Sequence, residues 1–407
     1  MSFALHVHSE ASGFQTRLSE LALRARKKKI DAVILTDYFQ QRVEWGWYPF
    51  HRWLKVGYEK PGISRFGCKK YFKAIDETNR RYPDVLLIPG AEVTPAYWWS
   101  GSLSKKNLTV HGLQKNMLVF GLNAGDLSKI PTVSNGRSKQ NAYQGPSEEA
   151  YQEVIDYVRE KGGWVVWSTP DENPATTFQK GPVHFETSPY TESLILTDSY
   201  TGICILPEGF VNTGRAGGIW DQTLKRYSEG KRKQAPWVFS ELILHEILPS
   251  DIDLRFNVAW VEEKSEAGLL EAVSKGRFYA LQRGRSAPLV LKDFYAADET
   301  GQKATLGGTL VSGRPAHLHA EIISNSTLNA EISVQLISGG RVIHTAAGKG
   351  LVSFNFNLER AGAYSPEKKN YYRLAVSAPE PELGILLSNP IFVSGEPGPG
   401  SEFKNPD

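Results

Sequence analysis

The sequence contains few cysteines and no long hydrophobic run. Among its 407 residues there are two cysteines, Cys68 and Cys204, which lie far apart and form no C-x-x-C pair. This excludes a disulfide framework and argues against a structural zinc knuckle. No stretch approaches the roughly 20 consecutive apolar residues that a membrane-spanning helix needs, so we expect no membrane partner.

A strong excess of charge of either sign is also missing. The chain has 47 basic and 44 acidic residues, which leaves a formal net charge of +3. Because this balance gives no general attraction to polyanions, we expect no nucleic-acid partner. Hydrophobic content of 41% and charged content of 22% are typical of a soluble globular protein. We therefore expect a small-molecule substrate or ligand, and the composition does not indicate an oligomeric state.

The two ends of the chain carry expectations of their own. The first predicted strand begins by residue 3, so we expect no signal peptide and predict a cytoplasmic location. A secreted or periplasmic location is the alternative if a leader was removed. Residues 395–407 are rich in proline and glycine, which predicts a disordered tail. Residues 400–403 of that tail are typical of a cloning remnant and are left out of fold reasoning.

The first predicted strand carries two histidines. Phe3, Leu5 and Val7 alternate with small or polar residues, which is the period of a strand with one buried face. His6 and His8 should therefore point the same way near the carboxyl end of that strand. Two adjacent imidazoles on a rigid strand are half of a metal site. A hydrogen-bonded histidine pair without metal is the alternative.

Alternating strand and helix patterns predict an α/β domain over residues 1–285. Helical periodicity marks three segments, at residues 17–29, 69–81 and 148–161. Apolar runs typical of buried parallel strands occupy residues 32–37, 85–92, 117–122, 164–168, 193–197 and 237–240. This order predicts a parallel α/β sheet or barrel, whose strand ends carry the chemistry.

Residues 286–394 follow a different pattern. Six segments alternate like strands, at residues 288–294, 317–324, 330–337, 352–358, 371–376 and 390–393. Glycine, asparagine and proline separate them, and no helical period intervenes. We therefore predict an antiparallel β-sandwich of about 100 residues. It should pack beside the first domain without sharing a sheet with it.

Polar residues recur at the predicted strand ends of the first domain. In chain order they are His6-x-His8, Thr36-Asp37, Pro89-Gly90-Ala91-Glu92, His111, Thr169-Pro170 and Ser240-Glu241. This series resembles the polymerase-and-histidinol-phosphatase (PHP) domain family over residues 3–285. The most specific pieces are Leu5-His6-Val7-His8-Ser9 and Ile88-Pro89-Gly90-Ala91-Glu92.

The resemblance implies a fold and an activity. It implies an α/β fold, a distorted seven-stranded (β/α) barrel that hydrolyses phosphate esters or related bonds at up to three metal ions. Within the second domain, Tyr371-Tyr372-Arg373-Leu374 and Ser388-Asn389-Pro390-Ile391 resemble the branch with an appended β-sandwich. That branch contains predicted metallohydrolases, some of which act on carbamate esters.

The resemblance also implies a set of metal ligands. One divalent ion, Zn, Mn or Fe, would be held by four residues, His6, His8, Glu92 and Glu241, the last replacing the aspartate of the family. Three positions where the family has further ligands carry Tyr38, Thr169 and Ile243 instead. A second site keeps only Glu92 and His111, and a third is lost. The expected centre is therefore mononuclear.

Further residues are candidates for catalysis or binding, each with a simpler alternative. His111 or Asp37 could be the general base, although His111 could also be a polar loop residue. Trp45 and Trp47 could stack on a substrate or merely pack an insertion. Arg137 and Arg215 could hold a phosphate or be solvated.

Glu241 has an alternative as well. Glu241 and His245 could simply be neighbours on one helix.

We predict a metal-dependent hydrolase of the phosphoester, carboxyl ester or carbamate class. The alternative is a degenerate relative that binds a ligand or partner without catalysis.

Overall fold

A computed structural model describes most of the chain. The described residues are 1–46, 55–171, 176–243, 251–284, 289–314, 316–324, 331–359, 362, 364, 368–377 and 384–395. Among these residues, every helix is too short or too polar to span a lipid bilayer. The predicted tail, apart from its first residue, lies outside the described residues.

The described helices cover the first part of the chain. They are α1 Leu18–Lys28, α2 Ile63–Phe66, α3 Cys68–Arg81, α4 Ala124–Leu127, α5 Glu149–Glu160, α6 Ser193–Leu196, α7 Ile219–Ser228 and α8 Glu266–Ser274. In α1 the buried residues recur at helical spacing, Leu18, Leu21, Ala22 and Ala25, which is why this segment packs as a helix. The three predicted helices correspond to α1, α3 and α5.

The strands of the first part are short and mostly buried. They are β1 Ser2–Val7, β2 Ala32–Leu35, β3 Arg42–Gly46, β4 Lys55–Glu59, β5 Leu86–Ile88, β6 Gly90–Val93, β7 Trp98–Ser100, β8 Thr109–His111, β9 Met117–Phe120, β10 Trp164–Trp167, β11 Thr176–Lys180, β12 Val183–Thr187, β13 Gly202–Leu206, β14 Trp237–Ser240, β15 Arg255–Ala259 and β16 Phe278–Arg283.

The described residues of the rest of the chain form ten further strands. They are β17 Leu289–Asp298, β18 Lys303–Thr305, β19 Thr309–Val311, β20 Ala316–Ser324, β21 Glu331–Ser338, β22 Arg341–Lys349, β23 Leu351–Asn357, β24 Asn370–Ser377, β25 Gly384–Ser388 and β26 Ile391–Ser394. Alternating burial along β20 confirms the period that marked this region as strand-forming.

Two expectations about individual strands are wrong. Residues 193–197 were expected to form a strand, but Ser193–Leu196 is a helical turn, and the strand of this region is β13. A short apolar run does not distinguish strand from helix by its period. In addition, β9 pairs antiparallel with both β6 and β10, so that sheet is mixed rather than parallel.

One large sheet crosses the predicted domain boundary. In it β1, β2 and β5 are parallel neighbours, and β15 and β16 continue on the other side of β1. The edge of β16 then pairs with β25 over five residue pairs, from Tyr279–Ser388 to Arg283–Gly384. The expectation that the two parts share no sheet is therefore wrong, because β16 offers an open edge that β25 fills. The barrel over residues 1–285 and the β-sandwich over residues 286–394 stay predictions.

A second link ties the two parts together. The fully buried Arg373 of β24 donates from Nε and Nη2 to the two carboxylate oxygens of Asp221 on α7, at 2.7 and 2.9 Å. The Arg373 guanidinium also lies 4.5 Å from the centre of the Trp220 ring. The contact joins the helix layer of the first part to the sheet of the second.

Candidate metal centre

Three side chains converge beside the carboxyl end of β1. Nε2 of His6 and Nε2 of His8 each lie 3.1 Å from Oε2 of Glu92. One ligand atom from each residue lies within 4.8 Å of those of the other two, and all three residues are buried. The sequence prediction that these residues come together is met by this geometry.

A bulge in β1 aims His6. The register between β1 and β2 shifts between Leu5 and Val7, and His6 has a positive φ of 69°. A bulge of this kind redirects one side chain, and it costs strain because histidine carries a Cβ. Regular alternation alone therefore does not account for the position of the His6 ring.

A change of sheet aims Glu92. β5 ends at Ile88 and β6 begins at Gly90 in a different sheet. A Cβ at Gly90 would lie 2.6 Å from the carbonyl oxygen of Leu35 and 2.7 Å from that of Val119, so only glycine allows this crossing. Glu92, two residues later, is thereby directed to the histidines on β1.

Asn116 holds the second oxygen of Glu92. Its side-chain amide donates to Oε1 of Glu92, and its own Oδ1 accepts a 2.7 Å hydrogen bond from the Thr94 hydroxyl. This leaves Oε2 of Glu92 facing the two histidines. Sequence reasoning missed Asn116, since a single asparagine before a buried strand carries no distinctive pattern.

Glu241 lies on the opposite side of the His6 ring. Its Oε2 is 2.7 Å from Nδ1 of His6 and accepts a 2.7 Å hydrogen bond from the Ser168 hydroxyl. Its Oε1 accepts a 3.0 Å hydrogen bond from the backbone N–H of Thr169. Glu241 therefore contacts the centre through His6, whereas the resemblance implied direct ligation. A carboxylate behind a metal-binding histidine fixes the orientation of the ring.

The charges of the cluster are strongly coupled. Burial opposes protonation of His6, but the carboxylates of Glu92 and Glu241 outweigh it and raise the pKa of His6 to about 10. Burial likewise raises the pKa of Glu92, yet the neighbouring His6 and His8 overcome this and hold it well below its usual value. Without a cation at the centre, a protonated His6 offsets part of the negative charge of Glu92 and Glu241.

A cavity of about 220 Å³ opens from the cluster. His6 and Glu92 line it, and so do all three residues at the lost ligand positions, Tyr38, Thr169 and Ile243. Thr169 and Ile243 have positive φ angles of 41° and 53°. Such conformations cost on the order of 1–3 kcal/mol each and concentrate at functional sites.

The donor set fits a divalent metal ion. Two imidazole nitrogens and one carboxylate oxygen form a three-residue set that catalytic zinc uses with an open fourth position. The same donors serve Fe²⁺ and Mn²⁺, so they do not select among the three metals. His6, His8 and Glu92 would hold the ion, and the face lined by His6 and Glu92 leads into the cavity.

Asp37 stabilises the loop that follows β1. Its carboxylate accepts hydrogen bonds of 2.7 Å from the backbone N–H and the hydroxyl of Ser9 and from the hydroxyl of Ser12. These contacts give Asp37 a role in positioning the chain after His8. Its role as a general base stays a prediction.

His111 lies on a different sheet from His6. Its ring stacks on Trp98 at 5.4 Å, Nε2 is 2.7 Å from the Ser100 hydroxyl and Nδ1 is 3.6 Å from Glu186. Among the described residues, it is not part of the group of ligand atoms around Glu92. Its roles as a second-site ligand and as a general base stay predictions.

The predicted substrate-binding residues are dispersed. Trp45 on β3 lines a neighbouring apolar cavity, and Trp47 lies outside the described residues. The backbone N–H of Arg137 donates to Thr132 at 3.3 Å, and the carbonyl of Arg215 accepts from Arg373 at 3.2 Å. Neither arginine is among the described residues that line the 220 Å³ cavity. His245, the alternative neighbour of Glu241, also lies outside the described residues.

Comparison with known proteins gives little further information. No family model matches the sequence, and no curated protein matches it. Among solved structures, the chain is similar to a Bifidobacterium adolescentis protein described as "a putative metal-dependent phosphoesterase", with 14% identity and a TM-score of 0.26. The match covers 50% of this chain and 76% of that chain. A likeness of this size does not establish a shared fold.

Proposed function

We propose that the protein is a metal-dependent hydrolase with a single divalent ion bound by His6, His8 and Glu92. The observation that carries the proposal is the convergence of two imidazoles and one carboxylate at a buried point that opens into a cavity. When bound, a divalent ion polarises the scissile group and acidifies water at that point. Membership in the PHP family remains part of this proposal.

The residues around the centre have distinct tasks. Asn116 and Glu241 hold Glu92 and His6 in fixed orientations, so the donor atoms are arranged before an ion binds. The Ser168 hydroxyl lies 3.3 Å from Nδ1 of His6 and donates to Glu241, which completes this hydrogen-bonded shell. The cavity of about 220 Å³ admits the reacting part of a small substrate. The scissile bond belongs to the phosphoester, carboxyl ester or carbamate class.

A ligand-binding protein without turnover is the second candidate. It is favoured by the residues at the lost ligand positions, because Tyr38, Thr169 and Ile243 fill the cavity wall with groups that are poor ligands for a second ion.

Phosphate ester hydrolysis gains from several cations that neutralise charge, so a mononuclear centre is better suited to the less charged carboxyl ester and carbamate bonds.

Metal content and turnover test the proposal together. Protein purified without chelator should contain about one Zn, Mn or Fe ion per chain by mass spectrometry. It should hydrolyse at least one of p-nitrophenyl phosphate, p-nitrophenyl acetate and an aryl carbamate. Glu92→Gln should lose both properties, while the matched variant Glu321→Gln keeps them because Glu321 lies on β20 and pairs with Lys292 instead. Full metal binding with no turnover of any of the three would support the binding protein.

A further inference from the structure

A second cavity, of about 290 Å³, lies beside the cavity of the metal centre. Its wall includes the apolar side chains of Trp45, Val56, Trp99, Leu108 and Val183. One side of the cavity is formed by the paired strands β3 and β4. The other side is formed by β7, by β12 and by the residues just before β8. An apolar cavity of this size can enclose one aromatic ring or a short aliphatic chain.

The two cavities share one wall. Four residues, Val43, Tyr58, Lys180 and Phe185, line both of them. Val43 and Phe185 are the buried members of this set and belong to the same small hydrophobic cluster. The apolar cavity is therefore adjacent to the cavity that His6 and Glu92 line.

Two lysines lie at the metal-site cavity. Nζ of Lys180 lies 3.6 Å from the centre of the Tyr58 ring, and Nζ of Lys60 lies 5.7 Å from that of Tyr38. Both lysines line the metal-site cavity, and Lys180 lines the apolar cavity as well. Besides Glu92, the described residues of the metal-site cavity include one further carboxylate, Glu208. Two ammonium groups beside an apolar chamber suit a negatively charged molecule with an apolar arm.

We propose that the apolar cavity is a substrate subsite, and that the substrate is an amphiphilic anion. Its anionic group lies near Lys60 and Lys180 at the metal-site cavity, and its aromatic or aliphatic arm fills the chamber lined by Trp45, Val56 and Trp99. This inference rests on the proposed function, since it places the reacting end of the substrate at the His6–His8–Glu92 centre.

Binding of two stable phosphonates to the Mn²⁺-loaded protein separates the two parts of the proposal. Phenylphosphonate and methylphosphonate share the anionic head, and only the first has an apolar arm. Burial of the phenyl ring should make phenylphosphonate bind about 10- to 100-fold tighter by calorimetry. Lys180→Gln should weaken both phosphonates by about two- to fivefold, whereas Lys73→Gln, at an exposed site on α3, should leave both unchanged.

Variants that fill the apolar cavity test the subsite directly. Val56→Trp places a larger side chain in the cavity wall at a residue that is 61% exposed, so the fold should tolerate it. It should reduce the ratio of the two affinities toward one, and Val183→Trp should do the same from the opposite wall. Val342→Trp, at a residue that is 42% exposed on β22, is the matched control and should preserve the ratio.

The outcomes distinguish this inference from the proposed function. Equal binding of the two phosphonates by the parent, or an unchanged ratio in both filled variants, would overturn the apolar subsite while leaving the metal centre intact. Failure of the protein to bind Mn²⁺ would overturn both proposals, whereas binding of Mn²⁺ without binding of either phosphonate would overturn this inference alone. If Lys180→Gln and Lys60→Gln both bind the two phosphonates as tightly as the parent does, the requirement for an anion would be overturned.

Discussion

Nδ1 of His6 lies 2.7 Å from Oε2 of Glu241, while Nε2 of the same ring lies 3.1 Å from Oε2 of Glu92. The imidazole is therefore held between two carboxylates, with one nitrogen directed to each. Only the Nε2 side also has His8 nearby, since Nε2 of His8 is 3.1 Å from the same oxygen of Glu92. Under the proposed function, the Nε2 side of the ring would bind the ion and the Nδ1 side would fix its orientation.

Glu241→Gln should weaken metal binding without abolishing it. The amide keeps a hydrogen bond to His6 but loses the charge that favours a strongly donating imidazole. We expect one ion per chain with a Kd raised about 10- to 100-fold, as for other groups behind a ligand. Competition titration with a chromophoric chelator measures this. A loss as complete as in Glu92→Gln would instead make Glu241 a direct ligand, as the sequence resemblance implied.

Adding a divalent metal should stabilise the metal-free protein. Zn²⁺ or Mn²⁺ at about 100 times its Kd contributes ~2.7 kcal/mol to the folded state by linkage, which calorimetry should record as a higher Tm. His6→Ala should remove most of the increase, because it deletes one of three ligands. His344→Ala is the control, since His344 lies on β22 and its ring contacts Phe354 and Phe356. Equal responses of the two variants would count against the assigned centre.

The sequence predicted three of the residues that meet at the site. His6 and His8 follow from a two-residue spacing on a strand, whereas Glu92, at the end of another apolar run, was implied as a ligand by the resemblance to the PHP family. The place of Glu241 could not be predicted, because the spacing does not tell which nitrogen of His6 it faces. The bulge at His6 likewise depends on pairing with β2, which is a tertiary property.

For the fold, the sequence predicted the long helices but not the strand pairing. The long amphipathic helices α1, α3 and α5 have clear periods and were placed within a residue or two. The pairing of β16 with β25 joins segments about 100 residues apart, and alternation of burial says nothing about which edge a strand meets. The short run at residues 193–197 lacked the length that separates helix from strand.

Histidines at the lost ligand positions should increase the metal capacity of the protein. Tyr38, Thr169 and Ile243 line the same cavity as His6 and Glu92, so imidazoles there would face the existing centre. The triple variant, with all three changed to His, should bind more than one ion per chain by mass spectrometry. Leu196→His, at a residue that is 67% exposed on α6, should bind no additional ion. An unchanged content in the triple variant would contradict the assigned positions.

Asp298 should make stability depend on pH in the acid range. Hydrogen bonds from the hydroxyls of Thr300 and Ser312 lower the pKa of Asp298 from 3.8 to about 2. Because the folded-state pKa is depressed, this stabilisation is present above pH 3.8 and is lost as the pH falls through about 2. Urea unfolding should show that Asp298→Asn destabilises at pH 7 more than at pH 2.

A matched variant separates this effect from general acid sensitivity. Asp84 has a side chain that is 69% exposed, so Asp84→Asn should change the free energy of unfolding little at either pH. If Asp298→Asn has the same effect at pH 7 and pH 2, the Asp298 carboxylate does not carry the pH dependence.

The buried pair of Arg373 and Asp221 should couple the two parts of the chain during unfolding. Arg373 is 0% exposed and Asp221 is 2% exposed, and Arg373 also donates to the carbonyl of Gly214 at 3.0 Å. Asp221→Leu alone leaves an arginine charge buried without its partner, so it should cost about 3–5 kcal/mol. Adding Arg373→Met should recover part of that loss, because the double variant has no unpaired charge in the interior.

The exposed pair of Lys225 on α7 and Glu229 just after that helix provides the comparison. Its atoms are 4.0 Å apart and Lys225 is 67% exposed, so breaking it should cost less than about 1 kcal/mol. A double-mutant cycle by urea unfolding, followed by both tryptophan fluorescence and circular dichroism, gives the coupling energy. If the two probes coincide in the parent but separate in Asp221→Leu, the pair holds α7 to β24 as one cooperative unit. Coincident transitions with a coupling energy near zero would show that the two parts unfold together without help from this pair.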